Sequence, residues 1–366
     1  MISGYATSQG TAKFAQSTSA NQDNFKKIHG LMLSNVGIGT YLGEPDAKTD
    51  ELVKNAVKQS VKSGINVIDT AINYRAQKAE RSVGKAISEL IDAGDITREE
   101  IFISTKNGYV TNDAEIPGDF WEYIKDEYVE KGVIQQGDIS SGYHCMSISY
   151  LEDQLNRSLK NLGLECIDLI YLHNAMEGQI KDISRNEFIE KLKAVFELYE
   201  KKRKEGLIKF YGMATWECFR VANDNPQYLS LEEVLDIAKN VGGDDHGFRF
   251  IQLPFNLYYD QAYMIKNQPF NGTQTSILDA AKNLNIGVFT SVPLMQGRLL
   301  QPGVMPEFSE LKPSLRALQF IRSTPGVVSP LVGQKSPEHV NENLEIMKIS
   351  PIPENEFTAL VKKLTS

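Results

Sequence analysis

The heptapeptide Ile167-Asp-Leu-Ile-Tyr-Leu-His173 is a short, mostly apolar run that ends in a histidine. A continuous apolar run of this length is typical of a strand buried on both faces, as in a parallel sheet. The next segment has helical periodicity, because apolar residues recur at Phe188, Leu192, Val195 and Tyr199. A strand followed by an amphipathic helix is the repeating unit of α/β folds.

This unit recurs along the whole chain. Apolar runs predict eight strands, at Asn35–Thr40, Asn66–Thr70, Ile101–Lys106, Ile167–His173, Ile208–Ala214, Phe248–Leu253, Gly287–Ser291 and Gly326–Val332. Capping boxes predict helix starts at Thr97, Ser149, Ser184 and Ser230. Eight such units in 366 residues favour a (β/α)8 TIM barrel with a short N-terminal hairpin over a doubly wound sheet.

Composition limits the class of protein. Hydrophobic residues make up 41% of the chain, charged residues 23%, and the net charge of −8 argues against a nucleic-acid partner. Three cysteines without a CxxC pair fit a reducing compartment. No apolar stretch is long enough to suggest a membrane span, and the polar N-terminus lacks the apolar core of a secretory signal. We therefore expect a cytoplasmic protein without a membrane or nucleic-acid partner.

Two segments depart from the repeating pattern. Residues 1–24 are rich in small polar residues and predict a flexible arm, so that 25–366 forms a single barrel domain. Residues 107–143 form an insertion after the third strand, with eight acidic residues, two basic ones and several aromatic ones. Long loops at this end of a strand are often lids. We hypothesise a lid that favours neutral carbonyl compounds over anionic ones, the alternative being an insertion far from any site.

Polar side chains that could move protons stand at or just after the ends of neighbouring strands. They are Asp69, Lys106 and His173, with Tyr74 five residues beyond Asp69. The carboxyl ends of barrel strands are where active sites are built. An acid, a lysine, a histidine and a tyrosine in these places indicate a common proton-transfer site.

The chain resembles the aldo-keto reductase superfamily in a series of motifs that run in family order over roughly residues 28–345. The matching motifs are Gly37–Thr40, Asp69–Ala71 with Tyr74, Ser104–Lys106, Asp168–His173, Tyr211–Thr215, Gln252, Pro293–Gly297 and Ser336–Asn343. The resemblance implies a (β/α)8 barrel that transfers a hydride between a nicotinamide cofactor and an aldehyde or ketone.

The resemblance also implies roles for four residues. Tyr74 would donate a proton to the carbonyl oxygen, and a cationic Lys106 beside it would lower the pKa of the phenol. Asp69 would pair with Lys106, and His173 would polarise and orient the carbonyl. The catalytic tetrad expected from the sequence is therefore Asp69, Tyr74, Lys106 and His173.

The cofactor implied by the resemblance is NADPH, with NADH as the alternative. The expected cofactor contacts are Gly39, Thr40, Tyr41, Asp69, Ala214, Thr215, Gln252, Ser291, Val292, Leu294, Gln296, Gly297, Gly333, Lys335, His339, Glu342 and Asn343. Residues 293–297 would line the pyrophosphate, and residues 333–343 would hold the adenosine end near a helix start.

Some positions depart from the family pattern. The family often has an arginine where His339 stands and a lysine where Gly333 stands, both for a 2′-phosphate, and Lys335 is a candidate substitute. Ser291 stands where many members stack an aromatic ring on the nicotinamide. Arg75 replaces a common glycine after Tyr74, which predicts an additional cation near the site.

Other functions remain open from the sequence. Some members of the family resemble potassium-channel β-subunits, so a cofactor-binding regulatory subunit with little turnover is one alternative. A lyase or aldolase with a Schiff base on Lys106 is another, although an Asp69 partner would keep that lysine charged. His144 is expected to be a satisfied or solvated loop histidine. No spacing indicates a metal site, and nothing in the sequence indicates the oligomeric state.

Overall fold

The computed structural model describes residues 1–135 and 137–365, so position 136 of the insertion and position 366 lie outside the described residues. The strands are β1 Phe25–Ile28, β2 Leu31–Ser34, β3 Gly37–Gly39, β4 Val67–Asp69, β5 Phe102–Asn107, β6 Ile167–His173, β7 Ile208–Ala214, β8 Phe248–Pro254, β9 Gln268–Phe270, β10 Thr273–Thr275, β11 Gly287–Ser291 and β12 Val327–Gly333.

The α-helices are α1 Ser8–Ser17, α2 Ala47–Lys62, α3 Lys78–Asp92, α4 Phe120–Ile124, α5 Ile148–Leu162, α6 Ala175–Gln179, α7 Arg185–Lys204, α8 Leu231–Gly242, α9 Gln261–Met264, α10 Ile277–Asn283, α11 Pro313–Ser323, α12 Pro337–Leu344 and α13 Glu354–Thr365. Short 3-10 turns lie at Gln22–Asn24, Arg98–Glu100, Met295–Leu300 and Glu345–Lys348, and a π-helical turn at Lys125–Val129 extends α4.

Eight parallel strands close into a barrel in the order β3, β4, β5, β6, β7, β8, β11 and β12. Each strand that the sequence analysis proposed is present, with ends that differ by up to two residues. The (β/α)8 prediction is confirmed, and closure of the sheet rules out the doubly wound alternative. The register pairs Lys106 with Tyr171 and His173 with Ala214, so the carboxyl ends of neighbouring strands meet at one mouth.

The opposite, N-terminal mouth is closed by an antiparallel hairpin of β1 and β2, as expected. Leu31 and Leu33 of β2 join a buried cluster inside the barrel with Phe102, Phe250 and Phe289. Inside the barrel, side chains pack from alternating strand positions, so it has a filled core instead of a channel. A closed bottom leaves the carboxyl-end mouth for ligands.

The prediction of a flexible N-terminal arm is wrong for residues 8–17, which form helix α1. Thr7 caps this helix by accepting from the backbone N–H of Gly10, and the ring of Phe14 packs edge-on against Phe25 with centroids 6.3 Å apart. Only a few apolar residues are needed here because the barrel supplies the opposing surface. A search for repeated apolar periodicity therefore missed the helix.

The insertion packs beside α5 through a small hydrophobic core of its own. The rings of Tyr128 and Tyr150 meet edge-on at 5.0 Å, and Arg157 of α5 donates to Glu127 at 3.1 Å. The hydroxyl of Ser149 donates to the carbonyl of Val133 in the insertion. Helix α5 therefore begins one residue before Ser149, with Ser147 as its N-cap, and the capping box proposed at Ser149 is wrong.

Candidate active site

The four residues proposed from the strand ends lie together at the open mouth. Lys106 Nζ donates to Asp69 Oδ2 at 2.6 Å and to the carbonyl of Thr70 at 2.7 Å, and it lies 4.7 Å from the centroid of the Tyr74 ring. The rings of Tyr74 and His173 meet edge-on with centroids 6.0 Å apart. The side chain of Lys106 is fully buried beneath the other three.

Asp69 is held in place by donors from β5, from β8 and from the residue that follows β3. Besides Lys106, Ser104 Oγ donates to Asp69 Oδ1 at 2.8 Å and Gln252 Nε2 donates to the same oxygen at 3.0 Å. The hydroxyl of Thr40 donates to the main-chain carbonyl of Asp69. A carboxylate that accepts hydrogen bonds on both oxygens, from one charged and two neutral donors, is held in one orientation.

Tyr74 differs from the expectation in one respect. Burial of the phenol, followed by the negative charge of Asp69, raises its pKa well above the ordinary value, whereas we expected Lys106 to lower it. The physical reason is that Lys106 forms an ion pair with Asp69. The negative charge of Asp69 largely cancels the electrostatic effect of the lysine on the phenol. The Tyr74 hydroxyl is therefore protonated at neutral pH.

The two nitrogen bases of the site are affected mainly by burial. Burial lowers the pKa of Lys106, while the charge of Asp69 and its hydrogen bond oppose that shift. Burial, with Lys106 and His144 nearby, lowers the pKa of His173 well below its usual value, so its imidazole is neutral. Among the described residues nothing hydrogen-bonds to Nδ1 of His173. A neutral imidazole at the cavity wall can donate one hydrogen bond to a ligand oxygen.

A cavity of about 560 Å³ runs from Tyr74 and His173 to α12 on the far side of the barrel mouth. Every cofactor position proposed from the sequence lines it, from Gly39 and Thr40 near Asp69 to Lys335 and His339 at the other end. Lys106 is the one tetrad member that is absent from the described lining, because it lies beneath Tyr74.

The loop after β11 has unusual backbone geometry where it lines this cavity. Val292, Met295 and Gln296 have φ values of 49°, 48° and 54°, in the left-handed region that residues with a Cβ rarely adopt. Backbone strain of this kind is concentrated at ligand sites. The N–H groups of Met295 and Gly297 are bonded within the loop, to the carbonyls of Val292 and Leu294, so the strained backbone marks a candidate ligand-binding wall and not a ring of free donors.

Two expectations about individual side chains are resolved by the structure. Arg75 is not a cation at the cavity, because its buried guanidinium donates to Asp50 at 2.7 Å and to Ser82 at 2.9 Å, behind Tyr74. In the insertion, Tyr109 is the only residue among those described that lines the cavity. The lid hypothesis therefore depends on Tyr109, since α4 lies against α5.

The sequence analysis missed cavity residues that have no strand-end position of their own. Asn174 follows His173 directly, lines the cavity and donates to the hydroxyl of Tyr109 at 3.2 Å. Trp216, just after β7, also lines it. Both could have been found from the sequence, because each directly follows a residue already assigned to the site: Asn174 follows His173, and Trp216 follows Thr215.

The fold and the site define a class of protein, a (β/α)8 barrel with a buried Asp-Lys-Tyr-His cluster beside a long cavity. The family model described as "Aldo/keto reductase family" matches residues 35–307, more than half of the chain. The chain therefore belongs to the aldo/keto reductase family, and membership supports an oxidoreductase function.

Similar proteins agree with this assignment. The chain is 23% identical over 336 residues to "Uncharacterized oxidoreductase YqkF" of Bacillus subtilis, covering 90% of this chain and 92% of that one. It is also 23% identical over 336 residues to the "Putative voltage-gated potassium channel subunit beta" of Schizosaccharomyces pombe, covering 87% and 86%.

A solved aldo-keto reductase from Klebsiella pneumoniae, in complex with NADPH, has the same fold. Its TM-score is 0.59 at 19% identity, and the match covers 93% of this chain and 95% of that one. In residues 1–135 and 137–365, no helix is both long and apolar enough to span a membrane.

Proposed function

We propose that the protein is an NADP(H)-dependent oxidoreductase that reduces aldehydes or ketones to alcohols, with Tyr74 as the proton donor. The observation that carries this proposal is the Asp69–Lys106 ion pair directly under the ring of Tyr74, next to His173 at the end of the cavity. We further propose that Asp69, Tyr74, Lys106 and His173 form the catalytic tetrad.

When bound, a nicotinamide cofactor supplies the hydride that reduces the carbonyl carbon. His173 donates a hydrogen bond from its neutral imidazole and so orients the substrate oxygen between itself and Tyr74. As negative charge develops on that oxygen, the Tyr74 hydroxyl gives up its proton, because an alkoxide is a stronger base than a phenolate. Lys106, 4.7 Å from the ring centroid, stabilises the phenolate that remains only by the part of its charge that Asp69 leaves uncompensated.

The residues present fit a dinucleotide. The cavity is lined at one end by the tetrad and at the other by Lys335, His339 and Asn343. Lys335 and His339 are suited to a 2′-phosphate, which favours NADPH with NADH as the alternative. The NADPH complex of the Klebsiella pneumoniae neighbour supports this choice. We propose a small neutral carbonyl compound as substrate and a cytoplasmic location.

A regulatory subunit of the same fold is the second candidate, and the similarity to a potassium-channel β-subunit favours it. The two candidates differ in turnover, because a regulatory subunit needs cofactor binding but not a fast chemical step. The Schiff-base alternative has less support, since Lys106 is paired with Asp69 at 2.6 Å and that ion pair opposes the loss of the lysine proton that a Schiff base requires.

The test is NADPH oxidation with 4-nitrobenzaldehyde, measured by absorbance for the wild type, Tyr74→Phe and Tyr109→Phe. We expect Tyr74→Phe to lower kcat about a hundredfold or more, the scale of one general acid. NADPH affinity, measured by fluorescence, should be retained. Tyr109→Phe removes a phenol from the same cavity and should lower kcat far less. A wild type that binds NADPH without turnover would instead favour the regulatory subunit.

A further inference from the structure

His144 is buried directly behind the end of β6, where it contacts the main chain of His173. Its Nε2 lies 2.8 Å from the carbonyl oxygen of His173. A carbonyl oxygen can only accept, so Nε2 carries the proton and donates. Burial lowers the pKa of His144 to about 4, and the imidazole is therefore neutral at physiological pH. Its other nitrogen, Nδ1, must then be an acceptor.

Gln179 of α6 supplies the donor that this tautomer requires. Its Nε2 lies 3.0 Å from Nδ1 of His144 and 3.1 Å from the carbonyl oxygen of His144. The side-chain amide therefore holds both the ring and its backbone. Two fixed hydrogen bonds on opposite nitrogens set the orientation of the imidazole as well as its protonation.

Two glycines make room for the ring. A Cβ at Gly108 would lie 2.4 Å from Nε2 of His144, and a Cβ at Gly178 would lie 2.7 Å from the Cβ of His144. Gly108 also has a φ of 118°, which residues with a side chain rarely adopt. The His144 ring therefore fits only because a glycine lies on each side of it, Gly108 at the end of β5 and Gly178 in α6.

His144 also lies where the two ends of the insertion pair with each other. The N–H of Cys145 donates to the carbonyl of Gly108, and that of Val110 donates to Tyr143, both at 2.8 Å. The ring of Tyr109 lies edge-on to both His144 and His173, with centroids 5.6 Å and 4.9 Å away. The base of the insertion is thus connected to the strand end that carries His173.

We propose that His144 is a positioning residue that acts through His173. It holds the main-chain carbonyl of His173 from behind and fixes the place from which that imidazole reaches the substrate oxygen. The insertion then contributes Tyr109 to the site, and His144 is the residue that directly follows its last position. This inference rests on the proposed reductase function, but the contact and the tautomer that it assigns can be measured without turnover.

The direct measurement is nitrogen-15 NMR of histidine-labelled protein without substrate. The His144 signals, assigned by their loss in His144→Gln, should show a protonated Nε2 and an unprotonated Nδ1 from pH 7 to pH 5. A proton on Nδ1, or titration of this ring near pH 6.5, would overturn the assignment. Because the readout needs no chemistry, it stands apart from any failure of the reductase proposal.

The kinetic measurement compares two substitutions at this position. His144→Gln retains an N–H donor at the reach of Nε2, whereas His144→Phe removes the donor and keeps a planar ring. We expect His144→Phe to lower kcat about tenfold with NADPH affinity within twofold, and His144→Gln to recover most of that loss. Equal losses, or none in either variant, would contradict the positioning role.

A matched control separates positioning from stability. His246 is also buried, and it contacts Arg249 away from the barrel mouth. His246→Phe should alter stability but not kcat of the folded enzyme. If His144→Phe does not fold, the tautomer seen in the wild type and the activity of His144→Gln decide the question. A wild type with no turnover at all would count against the reductase proposal and leave the tautomer result unaffected.

Discussion

Two buried ion pairs of almost identical geometry lie at the two ends of the barrel, and they have different surroundings. At the closed end, Arg98 donates to Asp168 at 2.6 Å, and backbone N–H groups of Ala6 and Ile103 donate to the same carboxylate. At the open end, Lys106 donates to Asp69, also at 2.6 Å, beneath the cavity. The first pair is enclosed by the protein, whereas the second borders the cavity at the open mouth.

The difference shows that burial of a charge pair does not by itself indicate function. The closed pair ties the N-terminal segment and β5 to β6, and no described cavity lining includes it. The open pair is next to a phenol and an imidazole that can still exchange protons with a ligand. We therefore expect substitutions at the closed end to affect stability and those at the open end to affect catalysis.

The largest expected effect is at the closed end. Asp168→Asn should lower the free energy of unfolding by about 3–5 kcal/mol, because it leaves the Arg98 charge buried without its partner. Urea unfolding followed by circular dichroism would measure this loss. The kcat of the folded enzyme at low temperature should stay within about twofold. A large fall in kcat without destabilisation would remove the contrast between the two ends.

At the open end we expect the reverse. Asp69→Asn should lower kcat/KM about a hundredfold, equivalent to about 2.7 kcal/mol of transition-state stabilisation, because Lys106 loses the partner that holds it below Tyr74. Its effect on unfolding should be smaller than that of Asp168→Asn, since Lys106 lies near the cavity and retains the Thr70 carbonyl. Steady-state kinetics and urea unfolding on the same preparation would sharpen the comparison.

Part of the pH dependence of the stability should arise at the open end, from His144. Its pKa is lowered to about 4 in the folded protein, so between pH 6.5 and 4 the unfolded chain binds a proton that the folded chain does not. Stability should therefore fall as the pH falls through this window, by about 1.4 kcal/mol per pH unit for this residue. His144→Gln should show a shallower fall in urea unfolding between pH 7 and pH 5. Equal slopes of unfolding free energy against pH in the wild type and His144→Gln would contradict this assignment.

The smallest expected effect concerns the charge of the substrate. Near the tetrad the described lining residues Tyr41, Tyr109, Asn174 and Trp216 are uncharged. The Glu177 carboxylate lies behind them, where it accepts from the hydroxyl of Thr215. We expect a lower kcat/KM for 4-carboxybenzaldehyde than for 4-nitrobenzaldehyde. Glu177→Gln keeps the acceptor and should narrow that ratio a few-fold, in line with about 1 kcal/mol for a screened charge.

The control for this experiment is Glu217→Gln, which removes a more exposed charge from the loop after β7. It should leave the ratio of the two kcat/KM values near that of the wild type. High salt should also reduce the difference between the kcat/KM values of the wild type for the two aldehydes, because repulsion between Glu177 and the substrate carboxylate is electrostatic. A ratio that responds equally to both substitutions would show that net charge, and not Glu177, is responsible.

The sequence was sufficient for the barrel because each strand is a local apolar run and each helix has its own periodicity. It also indicated Asp69, Lys106 and His173, since the carboxyl ends of parallel strands must meet. It was not sufficient for α1, whose few apolar residues become informative only against the barrel. The direction of the Tyr74 pKa shift could likewise not be predicted from the sequence. It depends on the depth of burial of the phenol and on how completely the negative charge of Asp69 compensates the positive charge of Lys106.

The amino-acid sequence by itself determined the repeating βα architecture, the family and the residue types at the open end of the barrel. These properties follow from local periodicity and from short ordered motifs. Only the tertiary structure decided which polar groups share a hydrogen bond. It turned Arg75 away from the cavity, laid the acidic insertion against α5 and placed His144 behind His173. Such contacts join residues far apart in the chain, and their distances are set by packing, which no local pattern specifies.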